Sequence, residues 1–482
     1  MNAMTIIEAL KSQGVNTQNL CLDSRCVQRG DVFVAVKGER SDGQDFIGDA
    51  VRRGAAAVLY DTATNKTMNA DVPSVAVDGL AVTLGDIAHL VYGRPSEKLQ
   101  VVGITGTNGK TSVSLWIAQA LKGIGKHCAV MGTLGNGFAG QLEESPNTTP
   151  NAIAVHSGLA NFLAHDAVAC AMEVSSIGLD QGRVNGVVFD TAVLTNLSRD
   201  HLDYHGNMDA YAAAKAKLYE MSGLKTAVLN LDDPFGIELA KRLRGKIRTI
   251  GYTLTDAQGA DEIVAAQHLR MTATGVEFNI SGLPVKAAAI GRFNVSNLLA
   301  VFGALKAMGI DAAQAATALA SLTPPPGRLQ TVGGIKTPLI VVDYAHTPDA
   351  IDKALTALRE LAVARGGRLI CVFGCGGDRD AGKRPMMGAI AERLADQVIV
   401  TSDNPRSEDA QVIAVQIVGG MKSTPTIELD REYAIRQSVI AADPHDVVLI
   451  AGKGHEAYQE IGGVKHPFSD IESAQRALES RP

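Results

Sequence analysis

The sequence predicts an α/β protein with three domains: a small α/β N-terminal domain, a central P-loop domain with a mostly parallel sheet, and a C-terminal domain of Rossmann-like pattern. Three observations carry this. Short apolar strands alternate with helical stretches along most of the chain, the pattern of parallel sheets covered on both faces. A chain of 482 residues has room for roughly three domains of about 150 residues each. Two linkers, VYGRPSEK at 91–98 and the stiff TPPPGR at 323–328, which cannot continue a helix, separate the alternating runs. The domains are accordingly set at 1–98, 99–326 and 327–482.

Composition narrows the function classes. A net charge of −6 and the absence of any Lys/Arg run argue against a nucleic-acid partner. The six cysteines, at 21, 26, 128, 170, 371 and 375, match neither a disulfide framework nor a zinc spacing, which points to reduced thiols in the cytoplasm. No stretch of 18 apolar residues occurs, and the N-terminus lacks a charged region followed by a long apolar run. The expectation is a cytoplasmic protein with no membrane span.

In the first domain, strands at Val32–Val36 and Ala57–Tyr60 enclose a helix beginning near Phe46. Its polar loops, Asp23-Ser24-Arg25 and Gly38–Gln44, offer donors suited to a phosphate or sugar; they also read as ordinary Asp/Gly turns.

The second domain opens on LQVVGITGTNGKTSVSL at 99–115: an apolar strand, a tight loop of Gly and small polar residues, and a first helical turn. In such a loop Gly106 and Gly109 let the backbone approach phosphate oxygens. The N–H groups of the loop point at the anion, Lys110 reaches its outer oxygens, and Thr111 or Ser112 would face a magnesium ion. The full pattern GxxxxGK[ST] requires Gly at 104, where Ile104 stands, so a Gly-rich turn with an exposed Lys is the competing reading. Further strands are predicted at Val101–Thr105, Cys128–Met131, Val168–Val174, Thr191–Asn196 and Ala227–Asn230. Ligands collect at the C-terminal ends of such strands, and there the sequence places Glu173, Ser175, Asp200, His201, Asp203 and His205. These suit a magnesium shell or, equally, a capping cluster before the helix from Met208. Lys215 and Lys217, on the helix Tyr211–Tyr219, read as solvent-facing.

The third domain repeats the alternation, with strands at Leu339–Asp343, Leu369–Phe373, Gln397–Thr401 and Val447–Ala451. Its strand ends carry the polar loops DYAHTPD (343–349), GCGGDRD (374–380), SDNPR (402–406) and GKGHE (452–456).

Taken in order, LDSR, GDVFVAVKG, GITGTNGKTS, NTTP, EVSS, TNLSRDHLDYHG, GRFNVSN, PPGR, VDYAHTPD, FGCGGDRD, SDNPR and GKGHE span nearly the whole chain. By these motifs the sequence resembles the Mur ligases of peptidoglycan synthesis, whose phosphate loop has the GTNGKT form. Within them it is most similar to those that add meso-diaminopimelate to UDP-MurNAc-L-Ala-D-Glu. The resemblance implies an ATP-dependent acid–amino-acid ligase, a monomer with Mg2+ as cofactor. The γ-carboxylate of D-Glu would first become an acyl phosphate, which the amine of diaminopimelate then attacks. Folylpolyglutamate synthetase-like ligases share this chemistry but lack a uridine-binding N-terminal domain. A nucleotide-dependent switch or binding module would need only the phosphate loop, and no NKxD base motif occurs.

Residue by residue, the resemblance implies that Gly106, Thr107, Asn108, Gly109, Lys110, Thr111, Ser112, Asn294, Arg328, Asp343 and His346 serve ATP. Thr111, Glu173, His201 and a carbamylated Lys215 would place the metals, which reverses the solvent-facing reading of that lysine; Lys110, Glu173, His201 and Lys215 would be catalytic. Ser24 would serve the uridine diphosphate, and Thr148, Thr149, Ser175, Gln181 and Arg183 the muramoyl dipeptide. Arg379, Asp403, Asn404, Pro405, Arg406, Gly452 and Glu456 would bind diaminopimelate, Arg406 being the residue that selects its distal carboxylate over lysine. DNP followed by a surface Arg could also be a simple turn. Ile177 and Gly182 stand where the family usually has His.

Overall fold

The computed structural model describes residues 1–38, 41–63, 71–272, 275–334 and 336–481. The predicted loop at 38–44 therefore lies partly outside the described residues. Three main sheets follow one another along the chain. The first has four parallel strands, Leu20–Cys21, Val32–Ala35, Ala57–Asp61 and Ser74–Val77, in sequence order. Every residue of Val32–Ala35 is buried, as a parallel strand covered on both faces requires. Helices Ala3–Ser12 and Leu80–Val91 share a core with its strands and with Ala152 and Ile153 of the next unit, which docks the two together.

The central sheet has eleven strands. Gln100–Thr105 lies in its middle, between Ala169–Glu173 and Thr191–Leu194, parallel to both. Parallel order continues outward through Cys128–Gly132 on one side, and through Thr226–Asn230, Arg248–Thr253 and Glu262–Thr272 on the other. Strand–helix alternation does not predict the two edges, which are antiparallel: Gly135–Phe138 with Gln141–Glu143, and Gly275–Ile280 with Leu283–Ala287. Their local hairpin contacts need no crossover helix, so they break the alternation. Helix Lys110–Gly123 is buried almost throughout, packed on this sheet beside helix Arg292–Ala307. Its Trp116 indole donates to Thr323 O at 2.8 Å, which moors the proline-rich linker.

The last sheet runs Gln330–Gly333, Leu339–Asp343, Val447–Ala451, Leu369–Phe373, Gln397–Val400 and Thr426–Ile427, parallel except for the first strand. Its register aligns Asp343, Ala451 and Phe373, so the predicted polar loops leave one edge together. That edge is tied by a fully buried ion pair. Arg431 holds Asp470 at 2.7 and 2.8 Å and donates to Ser402 O and Ala451 O, the carbonyls of two loop roots. Among the described residues no helix is long and apolar enough to cross a membrane, and all six cysteines are free thiols.

Candidate active site

The phosphate loop is shaped by what its glycines lack. Gly106 has φ +146° and Gly109 φ +88°, and an added Cβ would strike Thr195 Oγ1 and Asn297 Oδ1 respectively. The loop is braced from the next strand. Thr107 N donates to Asn196 O at 2.9 Å and Asn108 N to Asn196 Oδ1 at 3.0 Å, while Thr195 Oγ1 donates to Asn108 O at 2.6 Å. Thr107 Oγ1 in turn reaches Ser198 O at 3.0 Å and the Tyr211 hydroxyl at 3.1 Å.

Two amines converge on this loop. Lys110 Nζ donates to Gly106 O and Thr107 O, each at 2.9 Å, and Lys215 Nζ donates to the same Gly106 O at 2.8 Å. Lys215 is 1% exposed and lies over the Tyr211 ring, so the solvent-facing reading of it is corrected. The helix that carries it, Met208–Ala216, buries Tyr211, Ala214 and Lys215 at helical spacing, while Lys217 stays outside on Asp180 at 2.7 Å. Burial, then the neighbouring Lys110 charge, pushes the Lys215 amine well below its ordinary range.

Glu173 ends its strand fully buried. It accepts from Thr111 Oγ1 at 3.0 Å and from Thr133, through N at 2.9 Å and Oγ1 at 3.1 Å. Arg328 from the linker joins Thr111 Oγ1 at 3.2 Å while stacking on Tyr344, 4.6 Å from its centroid. Asp343 accepts from Leu329 N at 2.7 Å, and burial raises its carboxyl. His346, on Tyr344 O at 2.8 Å, is brought down to about 4 by burial and then by the Lys383 charge. His201 sits in a left-handed conformation, φ +53°, 3.5 Å from Asp200. Burial works against the Asp200 charge, but His201, His346 and Lys383 together hold its carboxyl below the usual range. No cluster of three or more His, Cys, Asp or Glu residues shaped for a metal occurs among the described residues. What exists is an oxygen pair, the Thr111 hydroxyl and the Glu173 carboxylate, whose hard donors fit Mg2+.

Beside the loop opens a cavity of about 380 Å³ lined by Asn108, Gly109, Asn230, Arg292, Asn297 and Lys353, among others. It lies over the strands on the far side of the phosphate loop from Glu173 and has room for a nucleoside. Asn294 is buried at its helical border and accepts from Asn297 Nδ2 at 3.1 Å. Ser112 is buried one residue beyond Thr111.

A second group forms around the back of Glu173. Thr149 Oγ1 bonds Glu173 O and Ser175 Oγ, each at 3.0 Å, and Thr148 bonds Thr133 at 3.1 Å. Arg183 donates to Thr149 O at 2.8 Å and grips the Gln181 amide oxygen at 2.7 and 2.9 Å. Thr148, Thr149, Ser175, Gln181 and Arg183 are thus brought together. Ser24 belongs to the 3-10 turn Ser24–Cys26 of the first unit, and its hydroxyl joins none of these bonds. Gly182 takes φ +66° with the Asn185 side chain in the place of a Cβ, so any side chain there would be strained.

The third group joins loops of the C-terminal unit. Asn404 Nδ2 donates to Glu456 Oε2 at 2.7 Å, and the fully buried Lys453 donates to both Asn404 Oδ1 and Glu456 Oε2, at 2.9 and 3.0 Å, with Asp403 3.8 Å away. Gly452, at φ +119°, lets the chain pass the Asp403 carboxylate. Arg406 has φ +54°, donates to Gly377 O at 2.8 Å and lies 3.4 Å from Glu460. A Cβ at Gly376 would meet the Arg406 guanidinium and the aliphatic stem of Arg379, whose own guanidinium donates to Asp378 O at 3.2 Å; Pro405 O closes on Gly377. Arg384, 1% exposed, clamps this loop: it pairs with Glu408 at 2.8 Å through both nitrogens and donates to Gly376 O at 3.0 Å.

Sequence reasoning missed Lys453, Arg384, Glu408, Tyr211 and Thr133. Lys453 stands inside GKGHE and was available to it; the others are supports brought in by packing, and no spacing marks them. The units meet at the site itself. Asp349, in the first turn of helix Pro348–Arg365, accepts from Asn108 Nδ2 at 2.8 Å and Ser198 Oγ at 3.2 Å, and Asp380 pairs with Arg199 at 3.5 Å.

Three segments of the chain match parts of one family: residues 16–92 the Mur ligase family catalytic domain, 104–305 the Mur ligase middle domain, and 327–454 the Mur ligase glutamate ligase domain. The UDP-N-acetylmuramoyl-L-alanyl-D-glutamate–2,6-diaminopimelate ligase of Pseudomonas aeruginosa is 51% identical over 469 residues, 96% of this chain and 95% of that protein. The ligase of the same name from Chromobacterium violaceum is 50% identical over 477 residues, 97% and 96% of the two chains. A solved structure of a UDP-N-acetylmuramoyl-L-alanyl-D-glutamate–2,6-diaminopimelate ligase superposes with a TM-score of 0.68 at 36% identity, covering 96% of this chain and 95% of that one.

Proposed function

The chain belongs to the Mur ligase family, and we propose that it is the ATP-dependent ligase that joins meso-2,6-diaminopimelate to the D-Glu γ-carboxylate of UDP-MurNAc-L-Ala-D-Glu. The observation that carries the reading is the C-terminal pocket. Arg406 offers a guanidinium for a carboxylate, with the stem of Arg379 near the same glycine, Gly376, and Asn404 and Glu456, which hold the Lys453 ammonium, offer acceptors suited to another. A distal amino-acid centre carries that charge pair; the bare end of lysine carries only half of it.

The reaction joins two anions and then expels one. A γ-carboxylate oxygen attacks the terminal phosphorus of ATP, the bond to ADP breaks, and an acyl phosphate forms. The diaminopimelate nitrogen then bonds the acyl carbon, inorganic phosphate departs, and the nitrogen gives up its proton with it. Lys110 and the first N–H groups of helix Lys110–Gly123 hold the ATP phosphates, Thr149, Ser175, Gln181 and Arg183 hold the dipeptide, and the nucleoside fills the cavity beside Asn297. Mg2+, bound by Thr111 and Glu173 with His201 and carbamylated Lys215 completing the set, would neutralise charge on the transferring phosphoryl group. Carbamylation needs an uncharged amine; Lys215 is buried and shares one carbonyl with Lys110, which disfavours its charged form. Ser24 is read as the uridine diphosphate contact, 1–98, 99–326 and 327–482 as the domains, and the enzyme as a cytoplasmic monomer.

Phosphate release measured with each amine, with and without UDP-MurNAc-L-Ala-D-Glu, tests the reading. Release is expected only with the nucleotide substrate and diaminopimelate together. Equal rates with L-lysine would remove the role given to Arg406. Lys215→Ala is expected to lose most activity without rescue by bicarbonate, and full activity in that variant would end its assignment.

A further inference from the structure

Lys453 is a fully buried lysine where two loops of the amino-acid pocket, GKGHE and SDNPR, meet. Its ammonium donates to Asn404 Oδ1 at 2.9 Å and to Glu456 Oε2 at 3.0 Å, with Asp403 Oδ1 3.8 Å away. The centre of the Tyr458 ring lies 5.6 Å from it. Taking an ion out of water into such a place is costly, and a well-packed apolar side chain is often as stable there. Holding the loops together is therefore a weak reason for a lysine; what it does to its partners is a stronger one.

The first effect is on geometry. Asn404 Oδ1 also accepts from Glu460 N at 2.9 Å, so two donors converge on one atom and the amide can stand only one way round. Its Nδ2 is thereby turned to Glu456 Oε2, at 2.7 Å. Glu456 is held from two sides on that one oxygen, which leaves Oε1 with no protein donor among the described residues.

The second effect is on charge. Asp403 and Glu456 bring two carboxylates, and Lys453 offsets one of them. Of the neighbouring arginines, Arg431 is paired with Asp470 and Arg406 lies beside Glu460, so each has a carboxylate of its own. One negative charge is left over, which matches one ligand ammonium. Without Lys453 the same wall would carry two, a field that favours the bare cationic end of L-lysine over an ammonium with a carboxylate attached beside it.

We propose that Lys453 is a positioning residue that sets the amino-acid specificity of the pocket. It turns Asn404 and Glu456 into the pose that receives the ligand ammonium, and it removes the surplus negative charge that would otherwise repel the distal carboxylate of diaminopimelate. The inference rests on the ligase reading above and deepens it.

Full-length Lys453→Met, which keeps the stem and removes the charge, is compared with wild type for kcat, for the KM of each substrate, and for inhibition by L-lysine. The KM for diaminopimelate is expected to rise about 10–10²-fold, the scale of lost charge-assisted hydrogen bonds, with kcat and the KM for ATP within about threefold. The ratio of the L-lysine inhibition constant to the KM for diaminopimelate should fall at least about tenfold. Combined with Glu456→Gln, the effect on that KM should be smaller than the product of the two single effects, because Lys453 acts through Glu456. Multiplicative effects, an unchanged KM, or a loss confined to kcat with the ratio unmoved would overturn the proposal. If circular dichroism shows Lys453→Met unfolded, Lys453→Gln, which keeps a donor but not the charge, is read by the same criteria; unfolding of both would assign Lys453 to the scaffold and overturn it. Wild type that does not consume diaminopimelate would instead defeat the ligase reading.

Discussion

The phosphate loop and the amino-acid pocket both bind anions, by opposite means. The loop works with backbone, the turn from Gly106 to Gly109 and the start of helix Lys110–Gly123, braced by Thr195, Asn196 and Ser198, and its strictest requirement is the absence of side chains at Gly106 and Gly109. The pocket works with side chains from loops at 374–380, 402–406 and 452–456, which satisfy one another: Lys453 bridges Asn404 and Glu456, and Arg406 bonds Gly377 O beside Glu460. A rigid backbone cradle accepts any polyphosphate. A network of exchangeable charged partners can discriminate, because a wrong ligand leaves buried polar groups unpaired.

If that contrast holds, the largest effect belongs to the smallest change. Gly106→Ala puts a methyl group into Thr195 Oγ1 at a φ of +146° that L-residues avoid. The strained cradle is expected to lose at least about 10³-fold in kcat/KM for ATP, on the scale seen when preorganised donors are displaced. The KM for diaminopimelate measured on residual activity should not move. A variant with near-normal ATP kinetics would mean that the loop is not set by its backbone.

Arg406→Lys probes the other side of the comparison. A lysine keeps the charge but loses the planar fork, and about 1.5–3 kcal/mol of charge-assisted bonding goes with it, roughly 10–10²-fold in KM for diaminopimelate. The KM for ATP should hold. A matched rise in both would show that the pocket and the loop are one coupled unit.

The same contrast governs what could be read from sequence. A site built from contiguous backbone leaves a contiguous signature, so GTNGKT, and the parallel strands that flank it, were legible. Lys215 was not: a lysine on a helix reads as a surface residue by its charge, although its spacing puts it on the buried face of Tyr211, Ala214 and Leu218. The antiparallel edge strands were missed because hairpins carry no crossover signal. In the C-terminal pocket the loops that touch a ligand stood out as polar strand ends. The clamps behind them, Arg384 with Glu408 and Arg431 with Asp470, come from helices or loops far along the chain, and nothing in their spacing announces a pair.

Those clamps give the smallest and most specific test. Glu408 receives both Arg384 nitrogens at 2.8 Å and also accepts from Asp378 N at 2.6 Å, so it ties the arginine-bearing loop to the SDNPR turn. Its bond to Arg384, chiefly, brings its carboxyl from 4.5 to about 2. A carboxyl depressed on folding contributes stability above its unfolded value, and that contribution is lost as pH falls from about 4.5 toward about 2. Glu408→Gln should therefore melt below wild type at pH 7, with the gap closing as pH drops through that window, because protonated Glu and Gln are then near equivalents. The variant should raise the KM for diaminopimelate by a few-fold only, since the clamp positions Arg379 and Arg406 without touching the ligand, and should leave the ATP kinetics alone. A gap in melting temperature that stays constant with pH would show that Glu408 acts through its shape, and the contrast between a backbone cradle and a charge network would lose its clearest support.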